Sequence, residues 1–144
     1  MAEFIDPAIV PKVTLPSGEE VPCMGMGTFG SDRVSAEDVS AAVAGAIRSG
    51  YRMFDCAACY GNEHQIGEVF EAAIKEGVVE RKDLFIMTKV WNDMHRKVEE
   101  ACTKSIQDLK CDLWICTSST GHSRIIMHHS VMWIPETRIP DRSA

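Results

Sequence analysis

Three times along this chain a short apolar run is followed by a stretch with the period of an amphipathic helix. Val39, Ala42, Val43, Ala46 and Ile47 share one helical face; so do Ile66, Val69, Phe70, Ala73 and Ile74. Val98, Ala101, Cys102, Ser105, Ile106 and Leu109 repeat the pattern a third time. Ser35-Ala36-Glu37-Asp38 reads as the Asp form of a capping box, and Gly50 and Gly77 as helix stops. The spacing predicts helices over Ser35–Ser49, Asn62–Glu76 and Arg96–Leu109, with strands beginning near residues 24, 52 and 84. Regular alternation of strand and helix requires a parallel sheet with right-handed crossovers. Ahead of it, Lys12 to Pro22 reads as a β-hairpin turning at Pro16-Ser17-Gly18. The natural extrapolation is a (β/α)8 TIM barrel, which takes about 250 residues to close. At 144 residues, this α/β chain is expected to hold part of one: the hairpin plus three βα units.

Chemistry in such a sheet belongs at the carboxyl ends of the strands. Asp55 ends the second apolar run, Tyr60 follows five residues later, and Lys89 lies near the end of the third run, F-I-M-T-K-V-W. Each has an ordinary structural explanation when taken singly: a capping aspartate, an interfacial tyrosine, a solvated lysine. Together they suggest acid–base work. A phenol has a pKa near 10 and donates a proton poorly at neutral pH unless its anion is stabilised, which a neighbouring ammonium does.

Three segments carry a resemblance to the aldo-keto reductases: Met24-Gly25-Met26-Gly27-Thr28-Phe29, then Arg52 to Asp55 through Tyr60-Gly61-Asn62-Glu63, then Phe85 to Trp91. They come in that family's order and spacing, and the resemblance covers residues 12 to 112. It implies the TIM-barrel fold and NAD(P)H-dependent reduction of aldehydes or ketones, aldoses among them, to alcohols. It also implies that Tyr60 protonates the substrate oxygen, Lys89 stabilises the phenolate and Asp55 orients Lys89. By the same resemblance Gly27, Thr28, Phe29 and Asp55 meet the cofactor, NADPH with NADH as the alternative. Phe29 and Trp91 line the substrate pocket, although ordinary packing would also account for both aromatics. The family more often has Trp where Phe29 stands.

After Asp112 the character changes. Residues 113–144 contain no lysine, three arginines and three histidines, and show no clean period. The family continues at this point with a strand of the type D-L-V-D-L-Y-F-I-H-W-P, whose histidine is its fourth catalytic residue. Codons allowed for Asp112 to Arg124, read from the third base of the first, spell L-V-D-L-Y-F-I-H-W-P-F-P. The histidine codon then straddles Ser119 and Thr120. Residues 1–112 are therefore read as the N-terminal part of a reductase barrel. Residues 113–144 are read as an aberrant, poorly ordered tail produced by one lost base. The chain as written is expected to be inactive or strongly impaired. The competing reading is a non-catalytic remnant, acting at most as an interaction or metal-binding fragment.

Other classes are disfavoured. A net charge of −6 and a pI near 5.3 argue against nucleic acid or an anionic membrane as partner. No apolar run reaches the length of a membrane span, and the first residues lack a signal-peptide pattern. The expected location is the cytoplasm, with six reduced cysteines. Cys56 and Cys59 have redox-motif spacing but precede no helix N-terminus of their own, so loop packing is the better reading. Cys111, Cys116, His122 and His128 or His129 are too irregularly spaced for a zinc module, and no metal is expected. The expected partner is a small carbonyl compound, with self-association through the open sheet edge.

Overall fold

The computed structural model describes residues 5–16, 18–31, 33–94, 96–111, 115–118 and 126–127. Strands β1 (Lys12–Thr14) and β2 (Glu20–Pro22) form the antiparallel hairpin, with Gly18 at φ +90° in its turn. The main sheet is built by β3 (Met26–Gly27), β4 (Met53–Asp55) and β5 (Phe85–Val90), paired in parallel in that order. Helices α1 (Ala36–Arg48), α2 (Glu63–Lys75) and α3 (Val98–Leu109) follow β3, β4 and β5 respectively. Each helix lies within two residues of its predicted limits, whereas β3, expected to begin near residue 24, begins at Met26 and has two residues.

Local chemistry accounts for the boundaries. Ser35 Oγ accepts from the Asp38 amide at 3.1 Å and donates to Asp38 Oδ2 at 3.0 Å, closing the predicted box at the start of α1. Gly50 ends the same unit at φ +89°, where a Cβ would stand 2.9 Å from the Ile5 carbonyl oxygen. Both the left-handed backbone and the crowding exclude a side chain there.

The core lies between the sheet and the three helices. Val39, Val43 and Ile47 from α1 meet Ile66 and Phe70 from α2, Phe54 and Ile86 from the strands, and Leu109 from α3. Phe54 and Phe70 pack edge-on with centroids 5.2 Å apart, and each fully buried side chain of this size contributes about 1.5–3 kcal/mol. Along β5 burial alternates: Ile86, Thr88 and Val90 are buried, while Phe85, Met87 and Lys89 are half-buried on the opposite face.

Two short strands are described beyond Asp112. β6 (Ile115–Ser118) pairs in parallel with β5, Ile115 opposite Met87 and Ser118 opposite Val90. β7 (Ile126–Met127) then pairs antiparallel with β6. The β-branched Ile115 and Thr117 suit a strand, and the free edge of β5 offers it a template. His122, His128 and His129 of the weighed zinc grouping lie outside the described residues. No helix among the described residues is long and apolar enough to cross a membrane.

Candidate active site

The register of the sheet puts three sequence-predicted residues at one place. Asp55 is the last residue of β4 and pairs with Gly27 of β3 on one side and Met87 of β5 on the other. Lys89, two residues beyond Met87, therefore stands on the same face of the sheet and past the end of β4. The Cys56 amide donates to the Met87 carbonyl at 2.8 Å, which carries the pairing one residue further. The chain then makes a single 3-10 turn, Ala58–Tyr60, and Gly61 at φ +68° redirects it into α2. That turn lays Tyr60 over the end of β5.

Lys89 Nζ donates to Asp55 Oδ1 at 2.5 Å, to the Cys56 carbonyl at 2.9 Å and to Tyr60 Oη at 3.4 Å. It also lies 5.1 Å from the centroid of the Tyr60 ring. Burial by itself would lower the pKa of Lys89. The hydrogen bond and charge of Asp55, with a smaller contribution from Tyr60, more than offset it, so the net direction is upward. Lys89 is a fixed cation, three-quarters buried and aimed at a phenol oxygen. It can stabilise negative charge developing on that oxygen.

The remaining predicted residues surround this centre. The Phe29 ring packs on Tyr60 with centroids 5.1 Å apart and remains 67% exposed. Trp91 follows β5 and is 45% exposed. A Cβ on Gly27 would meet nothing within 4 Å, so the backbone beside Asp55 is approachable from outside. Gly25 differs: a Cβ there would stand 2.8 Å from the Met53 side chain, so its small size serves packing against β4. Thr28 is turned inward. Its amide and its Oγ1 both donate to the Asp55 carbonyl at 3.1 Å, and its own carbonyl accepts from Asn62 Nδ2 at 2.8 Å.

Two residues beneath the site were not foreseen. Asn62 and Glu63, at the start of α2, are only 3% and 4% exposed. Glu63 accepts from Thr88 Oγ1, and from Ser105 Oγ at 2.8 Å. Their burial depends on how α2 sits against β5 and α3, which no local pattern reports.

The paired cysteines of the loop have opposite environments. Cys56 is fully buried, and burial pushes its thiol up to about 12, whereas Cys59 is exposed. A thiol so hard to ionise is a poor nucleophile. A cavity of about 490 Å³ lies at the opposite, amino end of the strands, lined among others by Lys12, Arg52, Lys82 and Asp83. The Arg52 guanidinium there is engaged by the Ile47 and Tyr51 carbonyls.

A sequence model described as the aldo/keto reductase family matches residues 23–116. The chain belongs to that family. It is 46% identical over 101 residues to an NAD(P)H-dependent D-xylose reductase of Pachysolen tannophilus, covering 69% of this chain and 30% of that protein. It is 44% identical over 100 residues to an NADP-dependent D-sorbitol-6-phosphate dehydrogenase of Malus domestica, covering 69% and 31%. Among solved structures, a Bombyx mori aldo-keto reductase in complex with NADP superposes with a TM-score of 0.68 at 35% identity, covering 76% of this chain and 40% of the other. The matched part of this aldo-keto reductase chain thus spans about 30% of the length of these curated relatives. Its hairpin and βα units are those of a (β/α)8 barrel of this family.

Proposed function

We propose that the carboxyl end of this sheet is the proton-donating corner of an NAD(P)H-dependent carbonyl reductase, acting on aldehydes and ketones with aldoses among them. The observation that carries the reading is the Lys89 ammonium, held between Asp55 and the Tyr60 hydroxyl. When bound, the nicotinamide cofactor supplies the hydride that reduces the carbonyl carbon. Tyr60 gives its hydroxyl proton to the carbonyl oxygen, so that the product is an alcohol and the residue is left as phenolate. Lys89 stabilises that phenolate, and Asp55 holds Lys89 in place. The open space at Gly27 and the exposed face of Phe29 fit a flat ring approaching beside Asp55. NADPH is the preferred cofactor, with NADH as the alternative. Similarity to relatives named as NAD(P)H-dependent and to a structure holding NADP supports that choice. Thr28 supports this corner through Asp55, while Phe29 and Trp91 wall the substrate side. A cytoplasmic location and self-association through an open sheet edge complete the reading.

The family match ends at Cys116, close to Asp112, after which the sequence reads as shifted in frame. On that ground we infer that this chain turns over more slowly than a version with the frame restored after Asp112. The test is oxidation of NADPH, and separately of NADH, with glyceraldehyde, comparing the chain, the frame-restored version and Y60F and K89M of each. Removing the proton donor should cost about 10²–10⁴ in rate. Parental turnover by Y60F would overturn the assignment of Tyr60. Equal turnover by the chain and its restored version would show that residues 113–144 serve catalysis.

A further inference from the structure

Asn62 and Glu63 lie directly behind the site and bind outward in two directions. From the start of α2, Asn62 Nδ2 reaches the Thr28 carbonyl at 2.8 Å, and Thr28 in turn holds the Asp55 carbonyl through two bonds of 3.1 Å. Glu63 reaches the other way. One carboxylate oxygen accepts from Thr88, the residue before Lys89, and the other from Ser105 of α3 at 2.8 Å. These two residues follow Tyr60 across a single glycine. The segments that carry Asp55, Tyr60 and Lys89 are therefore tied together by buried hydrogen bonds, separate from the contacts among those three side chains.

Stability alone does not explain the carboxylate. Glu63 is 4% exposed, and the partners that bond it are two neutral hydroxyls. Desolvating a carboxylate costs several kcal/mol, and an apolar residue of similar volume in such a place is often neutral or stabilising. What an apolar residue would not supply is direction: one bond that fixes where the start of α2 lies relative to β5, and a second that ties it to α3. The contact they govern has little tolerance, because Lys89 Nζ meets Tyr60 Oη at 3.4 Å, already at the long limit of a hydrogen bond.

We propose that Asn62 and Glu63 form a buried clamp that holds the Tyr60 hydroxyl against the Lys89 ammonium, which makes Glu63 a positioning residue for proton donation. The functional meaning of the clamp rests on Tyr60 being the proton donor; the geometry does not.

The test reads the contact itself in the full-length chain. The chain has two tyrosines, so Y51F leaves Tyr60 as the sole one. The nuclear Overhauser cross-peak between its ring protons and the Lys89 ε-methylene then reports the approach. E63L should lose that cross-peak while keeping a cooperative thermal transition, and E63Q, which can still bond both hydroxyls, should retain it. T88V removes the β5 half of the clamp and should weaken the cross-peak; S105A removes only the α3 half and should not. A merely structural role predicts equal effects of T88V and S105A, and that result would overturn the proposal. So would a parental cross-peak in T88V. Should E63L fail to fold, the comparison of T88V with S105A decides. Parental turnover by Y60F would remove the functional meaning but leave the cross-peak result standing, so the two failures are distinguishable.

Discussion

Two glycines in helices provide opposite tests of the packing that supports the site. Gly67 in α2 faces the end of α3: a Cβ there would stand 2.0 Å from the Asp108 carbonyl oxygen, 2.8 Å from Leu109 C and 2.9 Å from Leu109 Cα. All three are backbone atoms, so no rotamer change relieves the clash. Restoring ordinary contact requires the helices to separate by roughly 1.4 Å, against an interior packed too densely to yield freely. Such overpacking costs about 1–3 kcal/mol, occasionally more, while Gly→Ala in a helix interior returns about 1 kcal/mol. Because the obstacle is backbone, the cost belongs at the upper end, and G67A should be destabilised by about 2 kcal/mol. For a chain of this size that lowers Tm by roughly 7 °C. Gly45 in α1 is the control, since a Cβ there meets nothing within 4 Å. G45A should gain about 0.5–1 kcal/mol. Urea unfolding followed by far-UV circular dichroism measures both, with unchanged m values confirming that the transitions are comparable. A G67A chain as stable as the parent would refute the close approach of α2 and α3, and with it the placement of Ser105 beside Glu63.

Other consequences are equally direct. Burial raises the Glu63 pKa, and Asp108 adds to the rise; the bonds from Thr88 and Ser105 and the charge of Lys104 oppose it without reversing it. A carboxyl whose folded pKa is raised contributes stability that is full below its unfolded pKa and is lost as pH rises through the folded value. The unfolding free energy of E63Q should therefore fall less than that of the parent between acid and neutral pH, and parallel pH profiles would sink this assignment. A thiol reagent such as Ellman's should react first with the exposed Cys23 and Cys59, and with Cys56, Cys102 and Cys111 only on unfolding. Fast labelling of Cys56 in the folded chain would contradict its buried position.

Helix limits were readable because the capping serine of α1, the stop glycines after α1 and α2, and the period of apolar residues in all three are local signals. Asp55, Tyr60 and Lys89 were readable only jointly, as members of a spaced pattern; the Lys89–Asp55 bond spans the gap between two strands and follows from their register. Asn62 and Glu63 were illegible because a polar pair after a glycine reads as a solvated helix start wherever the helix is free. Burial reverses that meaning here, and burial is a property of how α2 meets β5 and α3. β6 was missed for a related reason. Its pairing partner, the far edge of β5, exists only once the earlier strands are in place, and the residues around it carry no period of their own.

The site and the core depend on one register. Side chains alternate faces along β5, so the residues that bury Ile86, Thr88 and Val90 against the helices also turn Lys89 toward Asp55 and Tyr60. A slip of one residue would put the ammonium into the core and Thr88 in its place at the site. Desolvating an unpaired ammonium costs several kcal/mol, and Glu63 would lose one of the two hydroxyls that bond it. The hydrophobic pattern and the buried carboxylate therefore select the same register from opposite ends of the energy scale, one by area and one by direction. This is why the lysine can occupy a place where its own burial is unfavourable: the strand is held there by its neighbours on either side, and Asp55 and Tyr60 need only keep the charge once it has arrived.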